Sequence, residues 1–180
     1  VDREDYRKQL TFTIDPDNAK DFDDALSFKN LNDITFEIGV HIADVSSYVR
    51  PDTQLDKEAR KRGTSVYLAN KVIPMLPEKL SNEICSLEPK KNKRAFSIIF
   101  TIDKEGKILK ERATKTTILS DYRFTYSEVQ SIIENKKNTN TKNKKFEEPI
   151  RILNEISKKV RKKRQERGAI FFNKKEVGFM

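Results

Sequence analysis

Five aspartates lie within ten positions near the start of the chain, at Asp15, Asp17, Asp21, Asp23 and Asp24. Carboxylates this close together repel one another and raise each other's pKa values unless cations screen them. Folded proteins that bring such groups together commonly use their oxygens to bind a hard divalent metal ion. The cluster is therefore a candidate metal site, and the alternative is an acidic turn exposed to solvent.

The spacing of these residues excludes the calcium-binding loop of the EF-hand. Counted from Asp15, that loop requires glycine at the sixth position and glutamate at the twelfth, where this chain has Lys20 and Leu26. Magnesium suits the cluster better, because Mg²⁺ binds through one or two carboxylates and completes its shell with water and substrate phosphate. The residue spacing alone leaves both the catalytic magnesium site and the solvated turn open.

Strands are expected on both sides of the acidic cluster. Leu10–Ile14 predicts a short strand that leads into the cluster, while Ala25–Phe28 and Ile34–Ile42 alternate apolar and polar residues with period two. Asn30–Asp33 has the composition of a turn between the last two. We expect an antiparallel pair with the acidic segment at one end.

Further along, helix and strand patterns alternate. We expect a helix capped by Asp52 or Thr53 that ends at Gly63, an extended segment over Thr64–Pro77, a short helix over Glu78–Leu87, strands over Ala95–Ile102 and Lys107–Leu119, a capping box at Thr125–Glu128 and a long helix over Phe146–Arg167. The Lys- and Asn-rich segment at about 136–145 has no apolar residue and predicts a mobile loop. The fold class predicted is α+β, a mostly antiparallel sheet flanked by helices with the acidic segment at its rim.

The composition suits a polyanionic partner, and the alternative that the charge leaves open is a basic surface that keeps the protein in solution. The 180 residues carry a net charge of +9 although the acidic cluster is local, so the rest of the chain is more basic still. The single cysteine, Cys85, excludes an intrachain disulfide and a cysteine-based zinc site, and predicts a buried residue in a cytoplasmic protein. His41 is the only histidine and lies in an alternating strand, which favours a structural role. There is no run of eighteen apolar residues, so no membrane span is expected.

Several motifs in a fixed order carry a family resemblance. They are Ile14–Leu26, Gly39–Ser46, Arg62–Leu68, Ile73–Pro77, Leu80–Asn82, Cys85–Leu87, Phe124–Val129 and Arg167–Ile170. In this order the chain resembles the RNB domain, the catalytic module of ribonuclease II and ribonuclease R. The resemblance implies a hydrolytic, processive exoribonuclease that acts from the 3′ end of single-stranded RNA and releases 5′-nucleoside monophosphates.

The resemblance also assigns roles to residues. Asp15, Asp21, Asp23 and Asp24 match the four active-site aspartates of the family. We expect Asp15 and Asp24 as ligands of Mg²⁺, with Mn²⁺ as a substitute, Asp21 as a direct or water-mediated ligand, and Asp23 as the residue on which the chemistry depends most. Tyr67 matches a tyrosine that stacks near the 3′-terminal nucleotide, and stacking of this kind contributes about 1–3 kcal/mol per base. The residue pattern alone favours a tyrosine of the core.

The resemblance covers the N-terminal portion of the catalytic domain, over residues 1–180. The family's later catalytic segments and its OB-type RNA-binding modules have no counterpart in this sequence, and we expect both in the full-length protein. Alternatives remain open: a catalytically inactive fragment, a basic RNA-binding or regulatory piece, or a metal-dependent DNA nuclease. A protein distinguishes RNA from DNA by contacts to the 2′-hydroxyl, and the sequence does not identify a residue that makes such a contact.

Overall fold

The computed structural model describes residues 2–68, 71–135 and 144–171. The strands in this part of the chain are β1 (Glu4–Asp5), β2 (Leu10–Asp15), β3 (Asp24–Asn32), β4 (Thr35–Ala43), β5 (Val66–Tyr67), β6 (Val72–Ile73), β7 (Asn92–Asp103), β8 (Ile108–Leu119) and β9 (Tyr122–Thr125). The α-helices are α1 (Gln54–Arg62), α2 (Tyr126–Ile133) and α3 (Lys144–Glu166), with a 3₁₀ turn at Val45–Ser47 and a π-type helix at Lys79–Ile84.

Seven strands form one sheet in the order β1-β8-β7-β4-β3-β2-β9, and β5 and β6 form a separate hairpin. Only the two edge pairs of the large sheet, β1 with β8 and β2 with β9, are parallel. Asp24 at the start of β3 pairs with Ile42 near the end of β4, so both lie at the rim where β2 ends. The predicted α+β fold is confirmed, and the acidic segment lies at the sheet's rim.

Helices α2 and α3 cover part of one face of this sheet. The buried stripe of α3 repeats at intervals of three and four residues through Phe146, Ile150, Leu153 and Ile156. It packs against Phe12 of β2 and Phe124 of β9, both fully buried. Toward the rim the same face is uncovered, and Ile42, Phe96 and Ile98 are exposed there.

A second core lies on the opposite face. Its buried members are Tyr6, Ala25, Ala43, Cys85, Leu87, Ala95, Ile99 and Ile118. Cys85 is buried and not part of a disulfide, as the sequence predicted. The two cores hold the rim of β2 and β3 from both sides.

The helix ends follow the local sequence. The Thr53 side chain accepts from the Asp56 N–H at the start of α1, and Gly63 ends the helix with a φ of 74° that favours glycine. The predicted capping box joins Thr125 and Glu128 at the start of α2. None of the described helices is long and apolar enough to span a membrane.

The segment predicted as a short helix at Glu78–Leu87 differs from the prediction. A π-type helix forms only over Lys79–Ile84. The chain then leaves the helix because the Leu87 N–H donates to the Phe22 carbonyl at 2.8 Å. The helix is shortened because its end is joined to the acidic segment.

Two other boundaries also differ. Pairing between β3 and β4 continues to Asn32↔Thr35, so the turn between them is shorter than the predicted Asn30–Asp33. The predicted mobile loop at about 136–145 lies outside the described residues from 136 to 143. Lys144 and Lys145 begin α3 and are not part of a loop.

Candidate active site

The acidic loop, residues 15–24, begins where β2 reaches the rim. Pro16 ends the strand because it has no backbone N–H for the ladder. The Ala19 N–H donates to the Pro16 carbonyl at 3.1 Å and closes a tight turn. Asp17 and Asn18 occupy the centre of this turn, where their residue types are favoured. The first limb of the loop is thus a short turn directly after Asp15.

The second limb of the loop is held by neighbouring segments. The Phe22 N–H donates to the Ser86 hydroxyl at 3.0 Å, and the Leu87 N–H donates to the Phe22 carbonyl at 2.8 Å. The Ala43 N–H donates to the Asp23 carbonyl at 2.9 Å. These bonds fix the backbone from which the later aspartates project.

The loop faces a cavity of about 760 Å³, whose opposite side is formed by the β5–β6 hairpin and the π-type helix. The residues that line it include Asp15, Lys20, Asp21 and Asp23 from the loop, Tyr67, Leu68, Lys71 and Val72 from the hairpin, and Ser81 and Asn82 from the π-type helix. The carboxylates of the loop, the ammonium groups of Lys20 and Lys71 and the Tyr67 ring therefore line the same cavity.

The carboxylates form one electrostatic cluster. Desolvation raises the pKa of Asp15 above its usual value, the charges of Asp24 and Asp21 add to the effect, and the Thr13 hydroxyl and the charge of Arg123 partly oppose it. The pKa of Asp23 is also raised, first by desolvation in the cleft and then by the charges of Asp21, Asp24 and Asp15. Asp15 is 7% exposed, and its buried Oδ2 has no hydrogen-bond partner within the described residues.

The structure places the four predicted aspartates at one rim of the sheet, but only three of them line the cavity. Asp15, Asp21 and Asp23 line it, whereas Asp24, the first residue of β3, is exposed and not among its lining residues. Alternation along a strand puts Asp24 on the face opposite to Ala25. In the described ranges, no three Asp, Glu, His or Cys side chains lie close enough to form a metal-binding group. The ligand set Asp15, Asp21 and Asp24 stays a prediction.

The donor chemistry of the loop fits a hard cation. The unpartnered Asp15 Oδ2 is a buried acceptor, and a buried acceptor without a partner costs about 1–3 kcal/mol. The acidic side chains offer only oxygen donors, which suit Mg²⁺ or Mn²⁺. Repulsion between the carboxylates favours the spread arrangement of the structure, and a bound cation would favour a closer one.

Tyr67 lies on the hairpin side of the cavity. Its side chain is 69% exposed, and Val66, Leu68 and Val72 around it are exposed as well. The bond from the Met75 N–H to the Ser65 hydroxyl at 2.9 Å closes the base of the hairpin, and the Arg62 guanidinium at the end of α1 donates to the Pro74 carbonyl at 2.8 Å. The ring is thus accessible to a base from the cavity, as a stacking role requires.

His41 lies in the core, away from the cavity. It is fully buried, and its Nδ1 lies 2.7 Å from the Ser97 hydroxyl. Burial lowers the pKa of His41 to about 4, so the ring is neutral at pH 7. Its position agrees with the structural role favoured by the sequence.

Sequence reasoning missed two residues at this site. Lys71 lines the cavity from the hairpin. Arg123 of β9 donates through its guanidinium to the carbonyls of Pro16 and Asp17. The position of Arg123 directly before the Phe124–Val129 motif was a signal. The parallel pairing of β9 with β2, which brings it to the loop, is not visible in the sequence pattern.

Known proteins share both the sequence and the fold. The RNB domain pattern matches residues 3–180. The chain is 45% identical to DIS3-like exonuclease 2 of Schizosaccharomyces pombe and 43% identical to Ribonuclease R 1 of Lactococcus lactis, with 98% of this chain aligned in each case. It spans about a fifth of the length of these relatives, 20% and 22% respectively.

Among solved structures, RNase R of Mycoplasma genitalium in complex with ribose-methylated single-stranded RNA superposes with a TM-score of 0.87. The sequences are 33% identical, and the match covers 97% of this chain and 27% of that one. The architecture of the described residues is therefore that of a part of the RNase R structure.

Proposed function

The chain belongs to the RNB domain family, and from this premise we propose that it forms part of a Mg²⁺-dependent, hydrolytic 3′→5′ exoribonuclease. Its substrate is single-stranded RNA, and its products are 5′-nucleoside monophosphates. The observation that carries the proposal is the cavity lined by Asp15, Asp21 and Asp23 on one side and Tyr67 on the other.

The acidic loop supplies the groups for chemistry. Asp15, Asp21 and Asp24 would hold Mg²⁺, which in a two-metal arrangement supplies a more acidic bound water and stabilises charge on the phosphate oxygens. Asp23 stands in the cavity with a raised pKa, so its carboxylate is a stronger proton acceptor than an ordinary aspartate. We assign to Asp23 the orientation and deprotonation of the attacking water.

The opposite side of the cavity supplies binding. The exposed Tyr67 ring stacks on a base, and stacking is tolerant of sequence because every base has a flat face. Lys71 on the hairpin places positive charge near the phosphates, and Lys20 adds a second positive charge from the acidic loop. Binding on this side orients the chain end toward the carboxylates.

The setting of the protein is also part of the proposal. The remainder of the catalytic domain and OB-type RNA-binding modules would complete the enzyme in a full-length protein. The buried, unpaired Cys85 agrees with a reducing compartment, and we place the protein in the cytoplasm.

A second candidate function is RNA binding or regulation without catalysis, which the net charge of +9 favours. One experiment separates the two. The chain is incubated with 3′-hydroxyl single-stranded RNA in Mg²⁺, in Mn²⁺ and in EDTA, with DNA of the same sequence as control. Release of 5′-mononucleotides from RNA in either metal, and not in EDTA, supports the enzyme. A gel shift without products supports the binder, and equal cleavage of DNA contradicts RNA specificity.

A further inference from the structure

We propose that Arg123 is a positioning residue that holds the first limb of the acidic loop at the cavity, through the geometry of its guanidinium and not through its charge alone. The effect on catalysis rests on the proposed function, whereas the effect on the loop does not.

Arg123 stands on a well-anchored strand. It pairs with Thr13 in the parallel β2–β9 register. The next residue, Phe124, is fully buried, and Thr125 closes the capping box of α2 with Glu128. The backbone on either side of Arg123 therefore has little freedom, and its side chain projects from a fixed point.

The guanidinium touches both limbs of the acidic loop. It donates to the carbonyl of Pro16 and, at 3.1 Å, to the carbonyl of Asp17. Its carbon lies 5.7 Å from the centre of the Phe22 ring, within range of a cation–π contact. One side chain thus connects the turn after Asp15 with the segment that carries the later aspartates.

The two limbs differ in how else they are held. The backbone of the second limb is bonded to the Ser86 hydroxyl and to the N–H groups of Leu87 and Ala43. In the first limb, within the described residues, the Pro16 carbonyl accepts from Ala19 inside the same turn, and residues 16–18 are exposed. Arg123 supplies the contacts from outside the loop, so the order of this limb depends on it.

Lysine would not replace it. A guanidinium is a planar group that donates several hydrogen bonds in fixed directions and stacks on an aromatic ring, whereas an ammonium is a compact point charge. The Arg123→Lys variant keeps the charge and loses the geometry. Its comparison with wild type separates positioning from simple charge balance.

The test is hydrogen exchange of metal-free protein, with Arg151→Lys as the matched control. Arg151 likewise donates to a carbonyl, that of Ile132, and to one side chain, that of Glu147, but lies on α3 away from the loop. We expect Arg123→Lys to speed exchange of the hydrogen-bonded Ala19 amide in the first limb roughly tenfold, as for the loss of charged hydrogen bonds, with the Phe22 amide of the second limb and β4 unchanged. Unchanged loop exchange, an equal effect of Arg151→Lys, or equal acceleration in β4 would overturn the proposal.

A second readout links the loop to its chemistry. In RNA cleavage, Arg123→Lys should raise the Mg²⁺ concentration for half-maximal rate roughly tenfold and leave the KM for RNA unchanged, because Tyr67 and the hairpin are untouched. A raised KM at an unchanged Mg²⁺ requirement contradicts the positioning role. If wild type does not cleave RNA, the proposed function fails for this chain, and the exchange result still decides whether Arg123 orders the loop.

Discussion

The two sides of the cavity are built in different ways. The acidic loop is joined to β4 by the bond from the Ala43 N–H to the Asp23 carbonyl and to the Ser86–Leu87 segment by the bonds at Phe22, and its first carboxylate, Asp15, is buried. The β5–β6 hairpin has two paired residues per strand, and Tyr67 and its apolar neighbours are exposed. One side is fixed by the core, and the other is a small unit with an accessible surface.

This difference suits the two tasks of the proposed function. Hydrolysis requires carboxylates that stay within fractions of an ångström of a productive arrangement, which a rim between two cores provides. Binding a moving RNA chain requires a flat ring that accepts any base, which an exposed tyrosine provides. We therefore expect changes in the loop to alter the rate and changes in the hairpin to alter affinity.

The largest effect is expected from Asp23→Asn. Loss of the carboxylate should lower the rate of mononucleotide release by about 10²–10⁴-fold, the usual contribution of a positioned acid or base, with RNA affinity retained. The matched control is Asp17→Asn, which makes the same change of charge in the same loop but at a residue that does not line the cavity. An equal loss of rate in both variants would show that loop charge alone matters.

Tyr67→Ala should act on affinity. Removal of the stacking ring should weaken RNA binding by between about 5- and 150-fold, which corresponds to roughly 1–3 kcal/mol. Tyr67→Phe should bind like wild type because the ring remains. Leu109→Ala, at an exposed residue of β8, serves as the remote control. Fluorescence anisotropy with labelled RNA measures the affinity, and normal binding by Tyr67→Ala would contradict a role of the hairpin in RNA binding.

Substitutions in the sheet should lower the free energy of unfolding more than substitutions in the hairpin. A Cβ on Gly39 would lie 2.4 Å from the Ser27 hydroxyl and 2.6 Å from His41 Nε2, so Gly39→Ala should destabilise the fold by about 1–3 kcal/mol. Val66→Thr on the exposed hairpin should stay within about 0.5 kcal/mol of wild type. Urea unfolding measures both, and a larger loss for Val66→Thr would contradict the tighter packing of the sheet that supports the loop.

The smallest effect is expected from Asp15→Asn on metal-free stability. Since the pKa of Asp15 is raised in the folded protein, the stability that its protonated form contributes is lost as the pH rises through that raised value. Asparagine stays neutral at every pH and so keeps this stability. The variant should therefore melt a few degrees higher at pH 7, since 1 kcal/mol of stability shifts the melting temperature by about 2–4 °C in a chain of this length. The gain should disappear below the usual aspartate pKa of about 4.

Calorimetry across this pH range, in EDTA, tests that prediction. Asp17→Asn is the control, because Asp17 is exposed and should show no gain. A lower melting temperature for Asp15→Asn at pH 7 would mean that the charged carboxylate stabilises the free protein, contrary to its burial and its acidic neighbours.

Local patterns predicted much of this molecule. The caps at Thr53 and Thr125 and the stop at Gly63 depend on neighbours in sequence, and all three formed as expected. The aspartate cluster was visible because its residues are adjacent along the chain. These features depend on residues that are close together in the sequence, so the sequence pattern predicts them.

Features that depend on distant partners were not predicted. β9 has only four residues and pairs in parallel with β2, so nothing local showed that Arg123 reaches the acidic loop. The short π-type helix follows from the contact of Leu87 with Phe22, about 65 positions apart. Asp24 is exposed because it is the first residue of β3 and its side chain lies on the face opposite to that of Ala25. The sequence pattern placed the start of this strand one residue later, at Ala25.

The most direct test of the division between the two sides is single-turnover cleavage of single-stranded RNA over a series of protein concentrations. Wild type, Asp23→Asn and Tyr67→Ala are compared in the same Mg²⁺ buffer. We expect Asp23→Asn to lower the maximal rate at an unchanged half-saturating concentration, and Tyr67→Ala to raise that concentration at an unchanged maximal rate. If both variants shift the same parameter, or wild type releases no mononucleotide, the account of a catalytic loop facing a binding hairpin is contradicted.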